Sequence, residues 1–538
     1  MVKLNYEGLK NKEAWEKAGI KIPQYDYEKV RENTLKNPKW LHIGAGNIFR
    51  GFICSLQQDL LNQGEADSGI IALAPMDGYT LKHVMGGADY LTIQVQMHAD
   101  GELDKEVYAS LCDGLDLSKP EDYARACAIV EDEGLEMISF TITEKGYNIT
   151  TIEGELTEQV KGDMKDGPEH PANTMALVAG FLYRRFKAGK LPLTLVSMDN
   201  FSHNGSKLKD SVLTVAKAWL ENGLVEEEFL DYLNDDSLVA FPWSCIDKIT
   251  PRPSKEIGEM IEELGVEGAS SVVTKSGSYA ANYVNAEVPQ YLVIEDHFTN
   301  GRPPLEKAGV YMTDRETVDK FERMKVCTCL NPLHTALAVF GCLLEKETIA
   351  SEMKDRSLRT LAATIGETEG MPVVTDPGII KPMDFLQEVL NERLPNPYLP
   401  DTPQRIATDT SQKLPIRFGE TIKLYHADDK LETDDLVAIP LALAAWLRYL
   451  LGVNDEGEEM ELSSDPMIPD MQDALADVEL GGDPDTARKA LKTILTNDVI
   501  FGTDLYEAGL GEKIEDYFIE MIKGPRAVRL TLEKYFPA

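Results

Sequence analysis

A lysine, an asparagine and a histidine lie close together in the sequence, immediately before a long apolar segment. Lys325 is followed by Asn331 and His334, and residues 335–344 are almost entirely apolar. This pattern predicts a buried helix whose N-terminal end carries the three polar side chains. A lysine held beside an apolar wall can accept a proton, because burial disfavours the charged ammonium form. Taken alone, the same residues also fit a surface lysine, a helix-capping asparagine and a core histidine.

Length predicts two domains, and net charge argues against a nucleic-acid partner. At 538 residues the chain is longer than a single hydrophobic core usually supports. Its 54 basic and 91 acidic residues give a net charge of −37, which repels phosphate backbones and argues against a nucleic-acid partner. The same charge repels anionic substrates at long range. An acid substrate would therefore need a local cationic pocket.

Neither a membrane segment nor a secretory signal is expected. No uninterrupted apolar run approaches the roughly 18 residues that span a bilayer. The N-terminus lacks an apolar stretch followed by a small-residue cleavage site. The sequence therefore predicts a cytoplasmic protein without a membrane partner. We also expect a monomer or weak homo-oligomer.

The seven cysteines are scattered, and they favour reduced thiols over disulfides or a metal site. Cys327 and Cys329 are close enough to suggest a metal. A structural zinc site needs about four ligands, however, and no second cluster accompanies them. We therefore expect no metal ion.

The first strongly patterned segment predicts a nucleotide-binding unit. An apolar run at residues 39–43 leads into Gly44 and Gly46, and helical apolar spacing follows over 52–61. A second apolar strand at 70–74 completes a βαβ unit. The glycines allow the backbone to approach a pyrophosphate, which would lie at the helix N-terminus, where free N–H groups favour anions.

Three further residues of this unit are predicted to contact the cofactor. Phe49 occupies the position of the third glycine, so the glycine fingerprint is incomplete. Arg50 could compensate by pairing with phosphate, although a surface arginine fits the pattern equally well. Asp77 follows the second strand, where a carboxylate accepts hydrogen bonds from a ribose 2′-hydroxyl and repels a 2′-phosphate. Asp77 therefore favours NAD over NADP.

Two later strands end in polar loops. Residues 137–142 lead to Thr143 and Glu144, and residues 193–197 lead to the loop that contains Asn200. In doubly wound sheets, ligands bind at the carboxyl ends of the strands. We therefore expect these loops to contribute to the cofactor and substrate site.

The fold class predicted from these patterns is α/β, with two domains. Alternating strands and helices predict an N-terminal Rossmann-like, doubly wound domain over residues 1–313. Long helical patterns predict a mainly α-helical C-terminal domain over residues 314–538. The strongest of these helical patterns span 333–344, 385–390 and 436–451.

The order of these motifs resembles the mannitol dehydrogenase family of polyol-specific long-chain dehydrogenases. The resemblance covers nearly the whole chain, and the common order of the motifs makes it a strong signal. The segments that carry it are 44–50, 143–147, 199–205, 241–251, 295–296, 325–334 and 409–413.

This resemblance implies a metal-independent, nicotinamide-dependent dehydrogenase of secondary alcohols. Lys325 would remove the hydroxyl proton as hydride leaves carbon. The amides of Asn200 and Asn331 would stabilise the developing alkoxide without adding charge, although capping is the commonest role of asparagine. His334 would hold a neighbouring substrate hydroxyl. Glu322 would pass protons between the lysine and solvent, or would simply be a solvated helix residue.

Three more residues match substrate-binding positions of the family, namely Asp247, Arg405 and Lys413. An arginine with a nearby lysine is well suited to a substrate carboxylate. The two cations could instead balance the acidic surface. Polyol enzymes of the family also carry this pair, so it does not by itself indicate an acid substrate.

One departure from the family pattern concerns the lysine. Five residues separate Lys325 from Asn331, where the family has four, while Asn331 and His334 keep their mutual spacing. The additional residue must be absorbed as a bulge or a longer turn before the helix.

Within the family, the chain resembles fructuronate reductases in its length and in the segment 329–334. The expected reaction is the reversible, NAD-dependent reduction of D-fructuronate to D-mannonate, so the partner is a small sugar acid or polyol. The alternatives are a mannitol or other polyol 2-dehydrogenase and a tagaturonate reductase. A nucleotide-binding sensor without turnover is a different class, and a lysine base beside amide donors argues against it.

Overall fold

The computed structural model describes residues 1–76, 78–151, 153–269, 272–273 and 279–537. The chain divides into two compact units. Unit 1 comprises Met1–Met97 and Glu102–Asp319, and unit 2 comprises His98–Gly101 and Lys320–Ala538. The division predicted after residue 313 and the division in the structure both fall close to the start of the helix Arg315–Met324.

All strands of the described ranges belong to unit 1. They are β1 Val2–Lys3, β2 Trp40–Ile43, β3 Ile70–Ala74, β4 Thr92–Met97, β5 Leu103–Tyr108, β6 Leu111–Asp116, β7 Met137–Phe140, β8 Leu193–Ser197, β9 Val239–Ala240, β10 Ser244–Asp247, β11 Val266–Glu267, β12 Val272–Val273, β13 Tyr279–Ala280, β14 Tyr283–Glu287, β15 Tyr291–Glu295 and β16 Tyr311–Thr313.

Helices occur in both units. Those of unit 1 are α1 Tyr6–Leu9, α2 Lys12–Lys17, α3 Tyr27–Lys36, α4 Cys54–Gln63, α5 Pro120–Val130, α6 Glu158–Asp166, α7 Thr174–Lys187, α8 Asn204–Glu221, α9 Glu227–Asn234 and α10 Lys255–Glu263. The division falls within α11 Arg315–Met324. Unit 2 contains α12 Asn331–Leu343, α13 Ile349–Glu352, α14 Arg356–Ala363, α15 Pro382–Glu388, α16 Pro403–Ala407, α17 Thr410–Leu414, α18 Glu420–Ala427, α19 Ala438–Tyr449, α20 Ile468–Ala474, α21 Pro484–Leu495, α22 Asp498–Phe501, α23 Gly511–Met521 and α24 Ala527–Tyr535.

A six-stranded parallel sheet organises unit 1. Its strand order is β6-β3-β2-β7-β8-β9, and every pairing in it is parallel. Taken in sequence order, this is the 3-2-1-4-5-6 arrangement of dinucleotide-binding proteins. The predicted Rossmann-like, doubly wound domain is confirmed. The order reverses between β2 and β7, and that switch point is where such sheets bind ligands.

The sheet is buried on both faces, as a parallel sheet between helices must be. The side chains of strand β2 alternate between the two buried faces. Leu41 and Ile43 pack in a core cluster that includes residues of α5, α7 and α8, whereas Trp40 packs in a second cluster with α4. Smaller sheets flank it, in the orders β14-β4-β5 and β10-β15-β16.

Unit 2 is helical, as the sequence predicts. Helix α12 is its central element, because nearly all its residues are buried and it packs against α14, α16 and α19. Helix α19 is buried along its whole length and packs against α23. The segments 333–344 and 436–451, which were predicted from their apolar character, coincide with α12 and α19.

One continuous helical stretch joins α11 to α12. The segment Arg315–Leu343 is long and apolar enough to cross a membrane by length and composition alone. In the structure, however, 78% of its most apolar window is buried inside the protein. Burial in a protein core accounts for its apolar character.

Candidate active site

The turn after β2 has the properties that a bound pyrophosphate requires. Gly44 has a φ of 114°, and a Cβ at this position would overlap the carbonyl oxygen of Thr141. Only glycine fits both conditions. A Cβ at Gly46, in contrast, would meet no atom of the described chain within 4 Å. The space beside Gly46 is therefore open, and the residues present fit a dinucleotide at the switch point.

The end of β7 is held in a strained conformation by a buried carboxylate. Thr143 has a φ of 61°, which side-chain-bearing residues rarely adopt. Asp199, at the end of β8, accepts hydrogen bonds from the backbone N–H groups of Ile142 at 2.8 Å and Thr143 at 2.9 Å. It also accepts one from the Tyr147 hydroxyl at 2.7 Å. These three bonds fix the loop that carries Thr143 and Glu144, both of which are exposed.

Asp199 was part of a recognised motif but was not assigned a role from sequence. Burial raises the pKa of its carboxyl, and its three hydrogen-bond donors oppose that shift. Its role is to position the carboxyl ends of two neighbouring strands.

A buried asparagine holds the loop that follows β8. The Asn204 side chain donates to the carbonyl oxygen of Asp199 and to that of Ser244, each at 3.0 Å, and accepts the Ser244 backbone N–H at 3.0 Å. It therefore ties the start of α8 to β8 and β10. Asn200 lies in this fixed loop and is exposed, while Asp247 ends β10 and is buried.

Two residues that were predicted to bind the cofactor make contacts with other groups of the protein. The Phe49 ring is fully buried and stacks on His42 at a centroid distance of 4.0 Å. The Arg50 guanidinium donates to the Ala281 carbonyl at 2.6 Å and to Asn47 Oδ1 at 3.1 Å. Burial lowers its pKa to about 10, so it stays charged near neutral pH. Its pairing with a phosphate stays a prediction. Asp77 lies outside the described residues.

Lys325 begins a π-helical turn, Lys325–Cys329, between α11 and α12. A π-helical turn contains one residue more than an α-helical turn between hydrogen-bonded positions, and such turns are common at functional sites. It accommodates the additional residue between Lys325 and Asn331. The Lys325 side chain is only 2% exposed, and Glu322 lies partly buried on the preceding turn.

The first turns of α12 carry the other two polar groups. Asn331 is the first residue of the helix and is partly exposed. The His334 side chain is 18% exposed, with its Nε2 atom 3.5 Å from Asp401 Oδ2. Burial lowers the pKa of His334 to about 3, so the imidazole is neutral near pH 7. Nearby cations lower this pKa further, namely Arg417, Arg393, Arg405 and Lys413.

Sequence reasoning predicted two of these four cations. Arg405 is mostly exposed, with 63% of its side chain accessible, and forms an ion pair with Asp401. Lys413 donates to the carbonyl oxygens of Ile406, at 3.1 Å, and of Thr408. Burial and the nearby charge of Arg417 lower the pKa of Lys413 to about 8.

The other two cations, Arg393 and Arg417, were not singled out from sequence. Arg393 is buried. Arg417 donates from Nη1 to Thr335 Oγ1 at 2.6 Å, and burial lowers its pKa to about 10. The available signal was the spacing of Lys413 and Arg417, four residues apart in one helical segment. Unit 2 thus places a concentrated positive charge around His334, within a chain of net charge −37.

The described residues contain no group of three or more histidine, cysteine, aspartate or glutamate side chains that could hold a metal ion. Burial raises the pKa of Cys327 to about 11 and that of Cys329 to about 12, so both thiols are protonated near neutral pH. A thiol must lose its proton to bind zinc.

Comparisons with known proteins assign both units to one family. The model of the mannitol dehydrogenase Rossmann domain matches residues 38–307, and that of the mannitol dehydrogenase C-terminal domain matches residues 317–521. A D-mannonate oxidoreductase of Thermotoga maritima is 53% identical over 99% of both chains. A mannitol 2-dehydrogenase of Phaeosphaeria nodorum is 27% identical over 86% of this chain and 76% of its own length.

Two solved structures are similar over almost the whole chain. A D-sorbitol dehydrogenase in substrate-free form has a TM-score of 0.78 and 26% identity, covering 95% of this chain and 97% of its own. A Pseudomonas fluorescens mannitol 2-dehydrogenase in ternary complex with NAD and D-mannitol has a TM-score of 0.69 and 25% identity, covering 99% of each chain.

Proposed function

This chain belongs to the mannitol dehydrogenase family, and from that membership we propose that it is an NAD-dependent enzyme that interconverts D-fructuronate and D-mannonate. The observation that carries the proposal is the 53% identity, over 99% of both chains, to a protein named D-mannonate oxidoreductase. The concentration of cations around His334 supports it, because the reaction requires a site for a carboxylate.

In the proposed mechanism, Lys325 is the proton acceptor. As the hydroxyl bond of D-mannonate breaks, the proton moves to the Lys325 amine and a hydride leaves the same carbon. When bound, NAD supplies the hydride acceptor, and NADH the hydride donor in reverse. In the direction of reduction, the Lys325 ammonium returns its proton to the carbonyl oxygen of D-fructuronate. The burial of Lys325 supports this role, because it limits competition by bulk water.

The neighbouring groups stabilise and orient the reacting oxygen. Asn331 presents an amide at the start of α12, where the free N–H groups of the helix also favour negative charge. Neutral His334 holds an adjacent hydroxyl without adding charge. Glu322 exchanges protons between Lys325 and solvent. The second amide is assigned to Asn200, and that assignment stays a prediction.

NAD is proposed to bind at the switch point between β2 and β7. The open space beside Gly46 and the fixed loop at Thr143 and Glu144 support this position. Asp77 is proposed to select NAD over NADP. We also propose a cytoplasmic, metal-independent enzyme that acts as a monomer or weak homo-oligomer.

A polyol 2-dehydrogenase is the second candidate. The similarity to a mannitol 2-dehydrogenase in complex with NAD and D-mannitol favours it, at 25% identity. A tagaturonate reductase would use the same machinery on a different stereoisomer.

The test is to follow NADH absorbance with D-fructuronate, D-tagaturonate and D-fructose in parallel. We expect the highest kcat/KM with D-fructuronate. A higher kcat/KM with D-fructose would favour the polyol dehydrogenase, and a higher value with D-tagaturonate would favour the other uronate reductase.

A further inference from the structure

Arg417 lies on a turn that packs against the turn carrying Lys325. The π-helical turn Pro415–Gly419 contacts both the turn Lys325–Cys329 and helix α12. Within it, the Arg417 guanidinium donates from Nη1 to Thr335 Oγ1 at 2.6 Å. Thr335 follows His334 on α12. Arg417 is therefore positioned beside the residues proposed to hold and deprotonate the substrate.

The hydrogen bonds of Arg417 differ from those of the buried arginines that stabilise the fold. Arg448 donates to three backbone carbonyl oxygens, at 3.3, 2.7 and 2.9 Å. Arg185 donates to four backbone carbonyl oxygens. In both cases the protein uses most of the donor positions of the guanidinium. This is the pattern expected of an arginine whose role is structural.

Arg417 leaves most of its donors available. In the described part of the chain its only hydrogen-bond partner is the Thr335 hydroxyl, and no carboxylate lies within 4.0 Å of it. Its Nε and Nη2 atoms are not among the buried atoms that lack a partner, so they retain access to solvent. The guanidinium thus presents a free planar edge, which is the geometry that binds a carboxylate through two parallel hydrogen bonds.

The neighbouring carboxylates do not neutralise this edge. Asp401 is paired with Arg405 and lies near His334. Asp465 accepts hydrogen bonds from the backbone N–H and the hydroxyl of Ser411, and the charges of Asp409 and Asp465 oppose the lowering of the pKa of Lys413. None of these carboxylates forms an ion pair with Arg417, so its charge is not neutralised by direct contact.

We propose that Arg417 is a specificity-determining residue that binds the carboxylate of a sugar-acid substrate through the guanidinium edge not used by Thr335. The proposal deepens the proposed function, and it rests on that function for the reaction at the other end of the substrate. Arg405 is less suited to this role, because it is mostly exposed and already paired with Asp401. Lysine at position 417 would keep the charge but lose the planar pair of donors.

The experiment compares acid and neutral ketoses that differ only at the terminal carbon. The pairs are D-fructuronate with D-fructose and D-tagaturonate with D-tagatose, each measured with NADH. Arg417→Met is expected to lower kcat/KM for the preferred acid by roughly 10- to 100-fold, the effect of losing hydrogen bonds between charged groups. It should change kcat/KM for the matching neutral ketose far less. Arg417→Lys should retain part of the preference for the acid.

Arg359→Met is the matched control, because Arg359 is exposed on α14 and donates to Asn391. Its acid-to-neutral ratio should equal that of the wild type. The melting temperature of each variant separates misfolding from a specific effect. If Arg417→Met is destabilised, the folded Arg417→Lys variant is the test. An unchanged acid-to-neutral ratio of kcat/KM in that variant also counts against the proposal.

Each outcome decides between the two proposals. If the wild type prefers D-fructuronate and Arg417→Met keeps that preference, the role of Arg417 is wrong and the proposed function stands. If the wild type prefers D-tagaturonate and Arg417→Met loses that preference, the role of Arg417 stands and the proposed substrate is wrong. If the wild type prefers neither acid over its neutral ketose, both are wrong.

Discussion

At the scale of single residues, Lys325 and Glu352 illustrate two consequences of burying a charged group. Lys325 is 2% exposed and Glu352 is completely buried. Burial makes an ionisable group costly to keep charged. At Lys325 we relate this cost of a buried charge to proton transfer. At Glu352, which lies outside the proposed reaction, the same physics affects only stability.

Removal of the Lys325 amine should strongly reduce turnover but leave cofactor binding unchanged. Lys325→Ala is expected to lower kcat by roughly 10²- to 10⁴-fold, the usual contribution of a general base. NADH binding, followed by fluorescence titration, should be unchanged. Lys354→Ala, at an exposed position of unit 2, serves as the control and should behave as wild type. A kcat near the wild-type value in Lys325→Ala would exclude Lys325 as the base.

Glu352 should reduce stability increasingly as pH rises. Its two carboxyl oxygens are buried without a hydrogen-bond partner in the described chain, and burial raises its pKa well above the usual value of 4.5. Between these two pKa values the folded state binds more protons than the unfolded state, so stability falls with increasing pH. Glu352→Gln removes this titration and should stabilise the protein, by up to about 1.4 kcal/mol for each pH unit above 4.5 within that window.

The measurement is the melting temperature of both proteins between pH 5 and 8. The advantage of Glu352→Gln should grow as pH rises. Glu347→Gln changes an exposed glutamate of the same unit and should show no such trend. A difference that is independent of pH would mean that Glu352 does not titrate in this range.

At the scale of secondary-structure elements, two glycines of one turn have separable roles. Gly44 is required by its backbone conformation and by contact with Thr141, whereas Gly46 borders open space. The first role belongs to folding, and we propose that the open space beside Gly46 serves the ligand.

Gly44→Ala and Gly46→Ala should therefore fail differently. Gly44→Ala forces a side chain into a φ of 114° and against a backbone oxygen, so we expect a lower melting temperature, in line with a strain of about 1–3 kcal/mol. Gly46→Ala should fold as wild type but bind NADH several-fold more weakly, because its methyl group occupies the space that the pyrophosphate needs. Equal effects of both changes on melting temperature and NADH affinity would contradict this assignment.

Most elements could be predicted from sequence because their signal is local. Strand β3 spans the predicted residues 70–74, and α12 and α19 coincide with the strongest apolar helical patterns. The sheet also follows from local signals, since the β–α alternation predicts parallel strands.

The features that sequence reasoning missed depend on distant contacts. Asp199 fixes the loop after β7 through hydrogen bonds to Ile142 and Thr143, which lie 57 and 56 positions earlier in the sequence. Arg417 meets Thr335 across 82 positions. Neither pairing leaves a periodic pattern in the chain, so composition and spacing cannot reveal it. The burial of Phe49 and Arg50, which were predicted as cofactor contacts, depends in the same way on the packing around them.

At the scale of the whole molecule, charge is distributed unevenly. The chain has a net charge of −37, yet Arg417, Arg393, Arg405 and Lys413 all act on one histidine. Charges separated by more than about 8–10 Å are largely screened at physiological ionic strength. We therefore expect the local cations to decide whether a carboxylate binds, and the overall charge to influence mainly solubility and long-range encounter.

The last prediction concerns metal, and it follows from how the proposed chemistry is divided among the side chains. In the proposed mechanism Lys325 accepts the proton and the amides stabilise the alkoxide, so a Lewis acid would duplicate their roles. The thiols of Cys327 and Cys329 are buried and protonated, which disfavours zinc binding. Exhaustive dialysis against a chelator should thus leave kcat and KM unchanged, with metal content measured by mass spectrometry. Stoichiometric metal in active enzyme, together with activity that is lost on chelation and restored by that metal, would contradict the mechanism and make Cys327 and Cys329 candidate ligands.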